Sequence, residues 1–390
     1  MIAKFKVERF KSIERADLDL GTINVLIGGN GSGKSNLLEA IGVIAAAASG
    51  KVDQESLVRR GCRPKGFSRP MFSDLPETVT TWLEASNGSH RYSVELLSPP
   101  QGTWAGWEFR REVLTTNEQR LVDRTETDKS GKGDPQTGLA ALRLAEGEVA
   151  KLAASFLKAL ASYSIYAADT LVMREQVQDV HAREPLGLSG GRLMEAVGEI
   201  NRDQLLYEKL NEEFAASFEY LDRFNVFGES SENGNGKKGF IGFRDRYFRA
   251  HPTGQPWILG TNQVNEGALY FLFAAVLCLH PAAANFFAID NADQGLNPVL
   301  ARRMTTTICR WLLGSKTPRQ LVMTTQNPLV LDGLPLNDPR VRLFTVDRDN
   351  RGRTIVKHFV VTEEHRKKAT QGWTLSRMWV NGLIGGVPNV

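Results

Sequence analysis

INVLIGGNGSGKS, residues 23–35, is a short apolar run that opens into glycines and closes on Lys34 and Ser35. The spacing G-x-x-x-x-G-K-S from Gly28 to Ser35 is that of a phosphate-binding loop, and each part has a task. Gly28, Asn30, Gly31, Ser32 and Gly33 let backbone N–H groups curl around phosphate oxygens, Lys34 reaches the terminal phosphates, and the Ser35 hydroxyl ligates Mg2+. Asn36 opens the run NLLEAIGVIAAAA, which reads as a helix with its positive N-terminus at the same anion. A plain turn between strand and helix needs none of this spacing, so a nucleoside triphosphate is the expected ligand.

The chain of 390 residues is long enough for two or three average domains, or for one large α/β unit carrying an insertion. Apolar residues at 42% and charged residues at 24% are ordinary globular usage, which excludes a disordered chain. No apolar run approaches the roughly eighteen residues of a membrane span, and MIAKFKVERF lacks the apolar core of a signal peptide, so no membrane role and a cytoplasmic location are expected. Cys62, Cys278 and Cys309 are widely spaced and match no metal or disulfide pattern, which predicts core packing. A net charge of +4 does not demand nucleic acid, but residues 58–69 gather Arg59, Arg60, Arg63, Lys65 and Arg69 in one loop-like stretch.

Outward from the phosphate loop, AKFKVER alternates like an edge or half-buried strand. TVTTWLEA and HRYSVELL flank Ser86-Asn87-Gly88-Ser89, a strong hairpin signal, and WAGWEFRREVL and QRLVDRTE extend the same antiparallel sheet. Residues 128–137 are glycine-rich and charged, a loop. Leu139 to Ala161 and Leu193 to Leu221 carry helical spacing, and no heptad is sustained long enough for a coiled coil. Residues 229–239, ESSENGNGKKG, read as a loop between strands FNVFG and FIGFRDRYF. GALYFLFAAVLCL is apolar all round and predicts a buried helix. FFAID then gives a buried strand ending in Asp290, followed by the helix PVLARRMTTTICRWLL, the strands RQLVMTT, VRLFTVDRD and TIVKHFVVT, and a short helix near TLSRMWVNGL. Asp290, on a strand end long after the phosphate loop and joined to IDNADQGLNP, is placed to hold Mg2+ directly or through water.

These segments resemble the SMC/RecF-like branch of the ABC-class ATPases. RFKSIERADLDL, the phosphate loop, Gln263-Val264-Asn265-Glu266-Gly267-Ala268, FFAIDNADQGLNP and Thr324-Thr325-Gln326-Asn327-Pro328 carry the resemblance, and their order covers nearly the whole chain. It implies an α/β, ABC-type P-loop head with a mixed central sheet, an antiparallel β subdomain and a short helical insert. The expected segments are 1–130, 131–235 and 236–390, interleaved into one head. It also implies ATP and Mg2+, with two heads sandwiching two ATP molecules in a homodimer or higher homo-oligomer. Asn265, Glu266 and Gly267 would then meet the γ-phosphate held by the other subunit, and Lys11 falls where the family places a basic residue near the nucleotide.

Three positions depart from the family pattern. Asn265 replaces a signature serine, Asn291 replaces the glutamate that serves as general base, and Gln326 replaces the switch histidine. An amide orients water but takes no proton, and Gln326 has no titratable ring. Asp293, two residues past Asn291, is the candidate replacement carboxylate. The resemblance narrows to stand-alone ATPases of bacterial anti-phage defence systems such as Septu, retron-associated and OLD-like cassettes. That implies an ATP-held switch with slow turnover, gating an effector nuclease or toxin from an adjacent gene. The alternatives are a RecF-type DNA-repair ATPase that meets DNA through the five basic residues, and an ATP-bound scaffold that does not cycle.

Overall fold

A computed structural model describes residues 1–63, 79–99, 106–124, 134–147, 149, 151–179, 183–227, 239–248 and 257–386. The expected segment boundaries near 130 and 235, most of the 229–239 loop, Lys65, Arg69 and the last four residues lie outside these.

The described residues form two compact units. The first comprises Met1–Tyr166, Ala284–Ala292 and Leu312–Val390. Its antiparallel sheet has the order Ile13–Asp19, Lys4–Phe10, Thr80–Ser86, His90–Leu97, Glu108–Thr116, Gln119–Arg124. Its mixed sheet has the order Thr354–Phe359, Val341–Arg348, Ile23–Ile27, Gln320–Thr325, Phe286–Ile289, Ile165–Tyr166, parallel throughout except for the Thr354–Phe359 edge. The phosphate-loop strand Ile23–Ile27 is buried at every position, as a parallel strand with neighbours on both sides and both faces covered must be. The helix Lys34–Ala48 touches strands of both sheets and shares one apolar core with them, which is why Leu37, Ile41, Ile44 and four successive alanines are all sequestered.

Register aligns the C-terminal strand ends: Ile27 sits opposite Thr325, and Met323 opposite Ile289. The residues that follow, Gly28, Gln326 and Asp290, therefore emerge along one edge of the sheet, where open parallel sheets bind ligands.

The second unit comprises Ala167–Ala283 and Asp293–Trp311. It holds the helices Leu193–Asn201, Gln204–Ser217 and Glu266–Leu279, most of Pro298–Leu313, and a sheet ordered Ile258–Leu259, Phe240–Asp245, Leu221–Phe227. Phe214, Phe218, Phe224, Phe243, Phe271 and Trp311 pack ring against ring at its centre.

Several elements differ from expectation. Lys4–Phe10 is half-buried, as one of the two expected alternatives had it, and pairs on both sides rather than lying at an edge. The helical stretch from Leu139 to Ala161 is two helices, Leu139–Ala145 and Lys151–Ala161, with Gly147 at φ 80 just past the end of the first. The stretch from Leu193 to Leu221 divides where Asp203 caps Gln204–Ser217, and Leu221 already begins a strand. The three cysteines are buried as expected, and burial pushes the Cys62 thiol up to about 12, which keeps it from forming a reactive thiolate. No helix among the described residues is long and apolar enough to cross a membrane.

Candidate nucleotide-binding site

The loop from Gly28 to Ser35 is shaped by what surrounds it as much as by its own glycines. A Cβ on Gly28 would lie 2.1 Å from the Val346 carbonyl oxygen, and one on Gly33, at φ +111, would lie 2.1 Å from Thr354 Oγ1. Glycine is the residue that fits both places. Gly31, also left-handed, has open space where its side chain would be.

Three side chains hold the loop carbonyls outward. Lys34 Nζ donates to the carbonyls of Gly28 at 2.8 Å and Gly29 at 2.9 Å. Thr354 Oγ1 donates to Ser32 O at 2.9 Å, and Arg348 Nε to Gly31 O at 2.6 Å. With these carbonyls tied back, most of the loop's N–H groups remain for an anion, although Ser32 N–H already donates to Gly29 O at 3.3 Å. The helix Lys34–Ala48 begins with no side-chain cap and no acid in its first turn. The Ser32 hydroxyl is buried without a hydrogen-bond partner among the described residues. Uncapped donors and an orphaned hydroxyl are what a loop built for phosphate leaves open.

Asp290 joins the site from the end of Phe286–Ile289, which Gln320–Thr325 separates from the phosphate-loop strand. Its Oδ2 accepts from Ser35 Oγ at 2.9 Å and its Oδ1 from Thr324 Oγ1 at 2.5 Å. One hydroxyl beside one carboxylate is a hard, oxygen-only donor set that suits Mg2+ completed by phosphate oxygens and water. Among the described residues no cluster of three or more His, Cys, Asp or Glu offers a protein-only metal cage.

Asn291 follows with φ 53, in the left-handed region that asparagine tolerates better than most residues. Its N–H donates to Thr324 Oγ1 at 2.8 Å. Gln326 is exposed one residue past the Gln320–Thr325 strand.

Lys11 and Asn36 lie behind the loop. Lys11 is buried and paired with Glu39, whose other oxygen accepts from Arg63 Nε at 2.6 Å. Burial, the largest influence on Glu39, pushes its carboxyl up, but Arg63 and Lys11 together outweigh it and hold the group below its ordinary range. Asn36 Nδ2 donates to Ser12 Oγ at 2.7 Å and its Oδ1 accepts from Arg63 Nη2 at 3.1 Å. Ser12 in turn bonds Thr354 at 2.7 Å, so the chain Arg63–Asn36–Ser12–Thr354 ends on the phosphate loop. Thr324, Thr354 and Arg348 are functional neighbours that sequence reasoning missed; only the Thr-Thr doublet before Gln326 gave a local signal.

The second unit carries Asn265, Glu266, Gly267 and Asp293. Asn265 caps the helix Glu266–Leu279, its Oδ1 accepting from Ala268 N at 2.9 Å, and its own N–H is bonded to the Tyr220 hydroxyl. Gly267 is buried, and a Cβ there would lie 2.6 Å from Leu300 Cδ2, so close helix packing already explains this glycine. Glu266 lies against Gly295, and Asp293 is near the buried Tyr270 hydroxyl.

Of the basic stretch, Arg59 pairs with Glu55 at 2.5 Å, Arg60 is buried and bonded to Ser56 O and Ala161 O, and Arg63 is committed to Glu39 and Asn36. Arg60 and Arg63 thus bond to the body of the fold, while Arg59 stays exposed in a surface pair.

Comparison with known proteins agrees with this geometry. Residues 23–74 match the family described as "AAA domain, putative AbiEii toxin, Type IV TA system". The Smc head bound to the C-terminal winged-helix domain of ScpA superposes over 94% of this chain and 99% of that one, with TM-score 0.52 and 13% identity. The chain has the fold of an Smc-type ATPase head. Two curated relatives match this head over parts of its length. The zinc import ATP-binding protein ZnuC 1 of Hahella chejuensis is 30% identical over 134 residues, which is 32% of this chain and 52% of that protein. The DNA replication and repair protein RecF of Renibacterium salmoninarum is 48% identical over 54 residues, 13% of this chain and 14% of that protein. The head thus spans about half the length of the first and a seventh of the second.

Proposed function

We propose that this head is a nucleotide-gated switch: it binds Mg-ATP, closes on a second copy around the nucleotide, and releases it slowly because hydrolysis is impaired. The observation that carries the reading is the edge at Asp290. Ser35 and Asp290 stand ready for a divalent cation, while the next residue is a left-handed amide bonded through its N–H to Thr324. The N–H groups of residues 29–35 and Lys34 would take the phosphates, and Ser35 with Asp290 would hold Mg2+, which neutralises phosphate charge when bound. Asn291 and Gln326 would orient water without accepting its proton, and Asp293 is the remaining candidate for that task. Loss of a general base removes about a hundred- to ten-thousandfold in rate.

The gated partner is an effector, a nuclease or toxin of an anti-phage cassette. The toxin wording of the matched family supports this reading, as does the resemblance to stand-alone defence ATPases. Light scattering with and without Mg-ATP, run beside steady-state hydrolysis, tests the switch. A doubling of mass with turnover far below an ordinary ATPase is expected. Ordinary turnover in which Asn291→Ala is harmless and Asp293→Ala is dead removes the reading's basis, and no mass change removes the closure.

A further inference from the structure

Thr324 stands between the two residues on which the proposed switch turns. It lies on the strand Gln320–Thr325, is fully buried, and its hydroxyl makes two bonds at once. Asn291 N–H lies 2.8 Å from the hydroxyl oxygen, and Asp290 Oδ1 lies 2.5 Å from it. An N–H can only donate and a carboxylate can only accept, so the oxygen gives a lone pair to Asn291 and its single proton goes to Asp290. The Thr324 carbonyl also accepts from Ala292 N–H at 2.8 Å, which fixes the threonine against the turn that follows Asp290.

The same bond decides how Asp290 presents its carboxylate. Oδ2 is the oxygen beside Ser35 Oγ, at 2.9 Å, while Oδ1 is taken by the buried hydroxyl. Turning the carboxylate so that both oxygens face one ion would pull Oδ1 off that hydroxyl, and a buried donor left unpaired is costly. A cation held by Ser35 and Asp290 therefore meets one carboxylate oxygen. Mg2+ suits such a ligand, with oxygens at about 2.0–2.1 Å in a near-ideal octahedron completed by phosphate and water. Ca2+ gathers about six to eight oxygens at about 2.3–2.6 Å and readily takes both oxygens of a carboxylate.

We infer that Thr324 is a positioning residue that sets metal specificity: by holding Oδ1 it keeps Asp290 a one-oxygen ligand and tunes the site for Mg2+ against Ca2+. This rests on the proposed use of Ser35 and Asp290 for a divalent cation and adds to it a choice between cations. Thr324 acts through Asp290 and does not itself touch the ion. The competing role for the same hydroxyl is to support the left-handed turn at Asn291. Loss of that support alone would weaken binding with either ion equally, whereas release of Oδ1 favours the larger one.

The test reads binding rather than turnover: a fluorescent ATP analogue is bound to the full chain while MgCl2 or CaCl2 is titrated, and the two metal midpoints are compared. Each ion's own affinity for the nucleotide in water is the same for every variant and cancels in the comparison. Thr324→Val keeps the shape and removes the hydroxyl, so the Ca2+ midpoint should fall relative to the Mg2+ midpoint about tenfold, the scale of one hydrogen bond to a charged group. Thr324→Ser keeps the hydroxyl and should keep the wild-type ratio. If Thr324→Val melts too low to assay, Thr324→Cys carries the test, since its thiol is a weaker donor, and a smaller shift in the same direction is expected. An unchanged ratio in these variants, with both midpoints moved equally or not at all, leaves Thr324 a support for the turn and overturns the inference. A wild type whose binding responds to neither ion, and which Asp290→Asn leaves unaltered, would instead remove the metal site and the inference with it.

Discussion

The two helices whose starts carry the candidate phosphate contacts begin in opposite ways. Lys34–Ala48 starts from a left-handed glycine with no side-chain cap and no acid in its first turn. Glu266–Leu279 starts from Asn265 in extended conformation, its Oδ1 on Ala268 N, with Glu266 in the first turn. The first helix leaves its donors for an anion and is incomplete without one. The second caps one of its first N–H groups with its own side chain and places an acid beside the rest. Binding is therefore built into the first start, whereas the second can only add to an anion already held elsewhere, and Glu266 opposes any anion that arrives alone.

The sharpest way to break this contrast lies beneath the first helix. Glu39 and Lys11 are both buried, so Glu39→Gln strands an ammonium beside Arg63. Breaking a buried pair this way costs about 3–5 kcal/mol at neutral pH, read by urea unfolding. The sign follows from the depressed pKa of Glu39. Its stabilisation is complete above the unfolded-state value near 4.3 and is lost as pH falls through the lower folded value, so wild type and variant should converge in acid. A gap that stays constant or widens on acidification would show that the carboxylate is not the group holding the helix. Asn265 has no counterpart to this buried charge.

Next in size, Lys34→Ala should lower affinity for a fluorescent ATP analogue about a hundredfold, the loss of charged hydrogen bonds to phosphate. The same assay on Asn265→Ala monomers should show no change. Equal losses from both would erase the distinction between a binding start and a capped one.

How much of this was legible in the sequence depends on how local each signal is. The phosphate loop, its strand, its helix and the strand ending in Asp290 are written in contiguous residues with fixed spacing. So is the buried helix after Asn265, whose apolar run leaves no face for water. The walls of the site are not local. Thr354 and Arg348 reach loop carbonyls from more than three hundred residues away, and nothing near them in the sequence marks that contact. Arg60 read as part of a basic surface because composition does not report burial, and here it is an internal clamp on Ser56 and Ala161. Lys11 matched a family position, yet a buried Glu39 claims its charge.

Thr354 sharpens the comparison further, because it acts on the loop from outside the motif. Thr354→Val keeps the shape and removes the donor to Ser32 O and the link to Ser12. Leaving such a carbonyl unsatisfied costs about 1–3 kcal/mol, so nucleotide affinity should fall about tenfold, with Thr354→Ser close to wild type. If Val and Ser behave alike, the hydroxyl does not position the loop.

The smallest expected effect tests the second start on its own terms. Asn265→Ala removes a cap from a helix whose other residues are almost all buried, so the unpaired Ala268 N–H should cost about 1 kcal/mol in unfolding free energy. Asn265→Asp restores the cap oxygen and should recover that stability, but it also removes the free Nδ2 donors and adds a second negative charge beside Glu266. If the amide faces a phosphoryl group on another copy, Asp at 265 will be as stable as wild type and worse than Ala at Mg-ATP-dependent dimerisation. A variant that recovers both stability and dimerisation would mean Asn265 is a helix cap and nothing more, and the contrast between the two starts would then hold without any nucleotide at the second.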